Sequence, residues 1–255
     1  MTFGACVRKS WLSTWQAIVQ MPGLFLGAFA VFACITLLSG SFQHTPLQAA
    51  ELDPVTRMGH AFIRIALSIL QVVVYGCLTI KVHRFVLLGE GTHPLLPLGG
   101  KPLGRYALLS LGLTLAMMVL AVLMFLAVRQ IRSAGIFVVA VPVFIAYLFA
   151  VARLSLLYPA IALGSRLALG AAWRDSRGHF WSIVGVWTVV YLPLMLAWLV
   201  FMILAGPAML VTARSSTALA IGLALANAVF VVLAAAALSW LYRRYANELR
   251  ERVGY

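Results

Sequence analysis

Carboxylates are almost missing from this sequence: 255 residues carry six Asp and Glu, and all charged side chains together amount to 10%. A soluble domain holds roughly a quarter of its residues as charges. So few cannot cover a water-facing surface, which excludes a soluble globular domain. With 64% hydrophobic residues and a mean hydropathy of +1.02, bilayer must replace water over most of the chain. A single transmembrane domain over residues 1–255 is expected.

Cysteine is scarce too. Cys6, Cys34 and Cys77 are far apart and form no CxxC pair, which excludes a disulfide framework or a thiolate metal site. The five histidines, His44, His60, His83, His93 and His179, fall near span ends or in loops, with no HExxH pattern. His83, Glu90 and His93 come nearest to a metal or acid–base group, but their Gly/Pro-rich spacing makes a poor preformed site. No serine has a nucleophile-elbow context. The acids Glu51, Asp53, Glu90, Asp175, Glu248 and Glu251 all avoid the middle of the apolar runs. Proton-coupled carriers need an ionisable group there, so their absence weighs against such a carrier. No catalytic residues, metal or cofactor are expected.

What the sequence has in plenty is long apolar runs. Runs at about 22–42, 61–88, 103–128, 135–157, 181–206 and 217–242 each reach the roughly 20 residues that a bilayer crossing needs. They predict an all-α polytopic membrane protein with six transmembrane helices. Arg8 and Lys9 before the first run suggest a signal peptide, but the run exceeds an h-region of roughly 7–15 residues, so it reads as a retained span. Arg64, one turn inside the second run, can snorkel to the interface. Pro142 and Pro193 read as kinks. Gly23 with Gly27, and Ala218, Gly222 and Ala226, provide small-residue faces for helix packing, and Asn227 a hydrogen bond to a neighbouring helix.

Two segments predict interfacial helices. In residues 5–20, Val7, Trp11, Trp15 and Ile18 recur on one helical face, with Lys9, Ser13, Gln16 and Gln20 on another. The second lies in the connector from Ala152 to Trp181, which carries Arg153, Arg166, Arg174 and Arg177 with one acid, Asp175. A helix over 165–177 brings Arg166, Arg174 and Arg177 within roughly a quarter-turn at about 100° per residue. Such a basic face suits anionic phospholipid or an acidic protein partner. Asp175 projects to the apolar side, where it is expected to cap the fifth span or pair with an arginine elsewhere. Trp11, Trp15, Trp173 and Trp181 are the expected interfacial anchors.

Of the 19 Lys and Arg, 14 fall on the side of the termini, the connector and the loop at 89–105. The positive-inside bias therefore puts both termini and the connector in the cytoplasm. Because the net charge of +13 sits beside apolar runs, it points to membrane surface and not to nucleic acid.

Six spans, the run LLYPAIAL at 156–163 and the run AAWRDSRGHFW at 171–181 resemble a family of uncharacterised bacterial inner-membrane proteins. That family is similar to the membrane domain of some glycerophosphodiester phosphodiesterases. The resemblance implies a bacterial inner membrane. The catalytic domain that accompanies some relatives is not in these residues, so no phosphodiesterase activity carries over. The expected function is a non-enzymatic accessory or scaffold protein that engages anionic lipid or a protein partner through its basic cytoplasmic face. The alternative is a transporter or lipid-translocating component with a cavity between the fourth and fifth spans. A polar cavity at mid-membrane favours the second; a closely packed bundle with a basic rim favours the first.

Overall fold

The computed structural model describes residues 2–41, 53–90, 101–130, 135–212 and 217–251. Among them there is no strand. The helices are α1 (Phe3–Gln20), α2 (Pro22–Ser41), α3 (Pro54–Leu88), α4 (Lys101–Gln130), α5 (Gly135–Leu154), α6 (Leu157–Ala162), α7 (Leu169–Asp175), α8 (Phe180–Thr212), α9 (Thr217–Tyr245) and α10 (Glu248–Glu251). Six of them, α2, α3, α4, α5, α8 and α9, are long and apolar enough to cross a membrane. The chain is an all-α, multi-pass membrane protein.

The second span is longer than the apolar run suggests. It begins at Pro54, whose ring suits the first turn, and Asp53 caps it by accepting from the Val55 amide at 3.2 Å. It ends at Gly89, which takes a left-handed φ of 70°. α5 and α8 run unbroken through Pro142 and Pro193.

α9 is the hub. It packs against α1, α2, α3, α6 and α8, and 39% of its apolar window is buried, against 6% for α4 at the periphery. Ala220, Ala224, Ala228 and Ala235–Ala237 are buried along it, and such small side chains let neighbouring backbones come close. One core gathers Leu157, Ile161, Ile183, Leu241 and Leu249; the other gathers Phe32, Leu78, Val82, Ala228 and Val232. Most of both cores lies toward the end where the connector sits. The opposite halves of α3, α4, α5 and α8 leave Phe62, Leu115, Ile145 and Leu199 exposed, as lipid-facing side chains are.

α1 joins α2 through Met21 alone and lies across α9, α8 and α3. It packs through its small side chains: Cys6, Ser10, Ser13, Thr14 and Ala17 are buried, while Leu12, Trp15 and Val19 are exposed. The polar atoms of that face are satisfied. Ser10 and Thr14 each donate to the carbonyl four residues back at 2.8 Å, and Ser13 Oγ accepts from Trp240 Nε1 at 2.9 Å. Ser13 was expected to face away from the apolar side, but its small size places it in the interface. Val7, Trp11 and Ile18 lie half-buried against the cores.

Candidate functional site

The connector folds as a series of short turns. After α5, Ser155 returns its hydroxyl to Ala152 O at 2.7 Å, and two residues beyond α6 Gly164 takes a φ of 96°. There the chain reverses. The carbonyls of Gly164 and Ser165 both accept from Arg105 Nη1 at 2.9 Å, so these groups are taken by α4. The helix expected over 165–177 therefore shrinks to α7, Leu169–Asp175. Arg166 precedes it and Arg177 follows it, so the three arginines do not share a helical face.

Arg153 also departs from expectation. It is 9% exposed, with its guanidinium 4.6 Å from the Phe149 ring centre and 4.5 Å from that of Trp173. It ties α5 to α7 instead of facing headgroups. Arg174 makes a two-pronged ion pair with Glu248, both N–H···O distances being 2.6 Å, and that hydrogen bonding raises the guanidinium's pKa.

Asp175 caps neither the fifth span nor an arginine. Its carboxylate, 9% exposed, accepts from the amides of Glu248 and Leu249, each at 3.0 Å. It thus caps α10 from another segment, since the first amides of a helix lack partners of their own. Its projection towards the apolar side is explained by the docking of the tail there.

Other arginines serve helix ends that sequence reading left unassigned. Arg243 donates to the carbonyls of Val86 and Leu87 at 2.9 and 2.8 Å, closing α3 as Arg105 closes α6. Lys9 and Arg243 each lie 4.7 Å from the Trp240 ring centre. Arg84 forks onto Glu90 at 2.7 and 2.8 Å. His83 turns into the bundle, its Nδ1 2.7 Å from Ser239 Oγ, so His83 and Glu90 do not converge. His93 lies outside the described residues. Among the described residues, no group of three or more His, Cys, Asp or Glu meets. The only local signal for these caps is an arginine near a span end; the partners are 59 to 157 residues away.

Among the described residues, Arg8, Arg166, Arg177 and Arg250 at the connector end are all exposed. Around the same end Trp181 is 82% exposed, Trp15 68% and Trp173 42%. Trp11 is half-buried against the core.

Clefts lined by described residues lie further along the bundle. One of about 470 Å³ between α2, α3, α8 and α9 is lined by Thr36, Gln71, Tyr75, Trp198 and Asn227. A second, about 280 Å³, shares Tyr75 and Phe230 with it and adds Thr79, Tyr106, Ser110 and Tyr158. The third, about 920 Å³, separates α3 from α4 and carries Arg64 and Ser68 in an otherwise apolar wall. Asn227, expected to bond a neighbouring helix, is among the residues that line the first cleft. Ala218, Gly222 and Ala226 are exposed, while the buried stripe is Ala220, Ala224 and Ala228. Gly23 is exposed with open space around it, and Gly27 is half-buried. No protein-family model matches the chain, and no curated protein or solved structure matches it.

Proposed function

We propose that this chain is a non-enzymatic integral protein of a bacterial inner membrane that engages anionic lipid, or an acidic protein partner, through its cytoplasmic connector end. One observation carries the reading. Many of the described cations at that end are tied to carbonyls, rings or carboxylates, but Arg8, Arg166, Arg177 and Arg250 remain exposed beside an end rich in exposed tryptophan. Cations with an aromatic belt fit a headgroup layer, each basic residue adding about 1 kcal/mol of attraction near an anionic surface. The resemblance to phosphodiesterase membrane domains fits a protein that works beside phospholipid.

The test replaces Arg166 and Arg177 by Gln and measures how the chain partitions phosphatidylglycerol over phosphatidylcholine in nanodiscs. Reduced enrichment with unchanged helicity is expected. Unchanged enrichment and unchanged protein association rule out the connector end as the contact.

A second reading, a lipid-translocating component, draws on the mid-span cleft lined by Thr36, Gln71, Tyr75 and Asn227. That cleft lies among the first, second, fifth and sixth spans, α2, α3, α8 and α9, and not between the fourth and fifth. On this reading Asn227→Leu abolishes lipid flip in vesicles while leaving headgroup enrichment intact. No flip by the unaltered protein ends it.

A further inference from the structure

The groove between α3 and α4 contains a guanidinium to which the described residues supply no counterion. Arg64 is exposed on the groove wall, with Ser68 one turn along and Ile65, Ile69, Val72 and Leu108 beyond. We propose that the groove binds one anionic phospholipid of the leaflet opposite the connector, with its phosphate on Arg64 and an acyl chain along α3.

The depth matches. α3 has 35 residues, about 52 Å at 1.5 Å per residue, whereas a hydrocarbon core is about 30 Å thick. Its neighbour α2 has 20 residues, close to that thickness, so part of α3 must project or tilt. Because α3 starts at Pro54 and not near residue 61, Arg64 lies about 15 Å from the helix start, well inside the helix. The stretch from Arg64 to Val73 covers about 14 Å, the depth of one leaflet's chains.

The shape matches as well. α3 and α4 touch at Gly76, where an added Cβ would meet Leu103 and Tyr106 at 3.1 Å. Beyond that contact the helices part, and α4 offers Gly104 and Ala107 to the opening. A Cβ on Gly104 would meet nothing within 4 Å, so the space is real. An arginine facing hydrocarbon is costly unless an anion joins it. Guanidinium binds phosphate in a two-pronged geometry, and a phospholipid supplies both that anion and the apolar tail.

Native mass spectrometry from nanodiscs of phosphatidylglycerol and phosphatidylcholine tests the site. The unaltered protein is expected to retain phosphatidylglycerol preferentially. Arg64→Gln should retain one such lipid fewer, with about tenfold weaker binding, as expected for loss of a charge-assisted hydrogen bond. Gly104→Leu should lose the same lipid while Arg64 stays in place, because its side chain fills the groove. Arg166→Gln with Arg177→Gln should remove different lipid, so its effect adds to that of Arg64→Gln. Equal phosphatidylglycerol retention by Arg64→Gln overturns the proposal, and this exposed substitution carries the test if Gly104→Leu fails to fold. A dimer that Gly104→Leu dissociates regardless of lipid also overturns it, since a second copy then fills the groove.

Discussion

At the scale of single residues, arginine and aspartate act here mainly on other helices' ends. Asp175 takes two amides of α10, so Asp175→Ala leaves both without an acceptor. The expected local cost is about 1–2 kcal/mol, within the range for a lost cap. Hydrogen exchange should quicken at Glu248 and Leu249 while the amides of α9 keep their protection. Equal protection of all these amides in the variant counts against the cap. Arg153 gives a second case. Its planar guanidinium lies beside two rings, a geometry that an ammonium does not reproduce. Arg153→Lys should therefore lower stability by about 1 kcal/mol, read from thermal unfolding in detergent. Cys6 supplies a third. Burial pushes its thiol pKa up, so at neutral pH less thiolate forms and a water-soluble maleimide should label it far more slowly than an exposed cysteine. Labelling at the rate of an unfolded control would mean that α1 does not dock. In the sequence, Asp175 was visible only as a misfit on the apolar side of its segment. Its partners are 73 and 74 residues away, beyond any local pattern.

At the scale of elements, the spans were legible because hydrocarbon demands about 20 apolar residues with every backbone group bonded internally. Their ends were less so. Capping by Asp53 and Pro54 extends α3 through a polar stretch that hydropathy alone assigns to a loop. The connector helix was misread for the opposite reason. Residues 165–168 have a helical pattern, but Gly164 reverses the chain and Arg105 takes the carbonyls there. α1 was recognised as a helix, whereas its packing face was not. A pattern of bulky apolar side chains finds the face that prefers hydrocarbon, while close helix approach selects small ones. This difference makes a prediction. Ala17 is 2% exposed and Trp15 68%. Ala17→Leu overfills the interface and should cost about 1–3 kcal/mol. Trp15→Leu should leave thermal stability nearly unchanged. The reverse order of stabilities would mean that α1 packs through its tryptophan face.

At the scale of the whole molecule, the two ends of the chain belong to one end of the bundle. α1 packs on the last turns of α9 through the Ser13–Trp240 bond, and α10 is held by Asp175 and Arg174 of the connector. Termini gathered at one end require an even number of crossings, and the six apolar helices provide it. The proposed function puts that end in the cytoplasm, the side that the positive-inside bias predicts when the sequence is divided into 14 Lys and Arg against five. Folding adds a constraint of its own. Arg105, Arg174 and Arg243 make their bonds only when the connector, the tail and the end of α3 meet on the same side. An inverted molecule would have to carry these cations across the bilayer together, at about 2.5–3.5 kcal/mol each near the centre of a helix. A reporter fused at Gln48 and one fused at the C-terminus should thus lie on opposite sides, with the C-terminal one cytoplasmic. Replacing Arg166, Arg174 and Arg177 by Gln should weaken that bias without reversing it, because Arg8, Lys9 and the α9 arginines still hold the same side. If both reporters fall on one side, the crossing number is odd, and the shared end that α1 and α10 define in the bundle is not the one formed in the membrane.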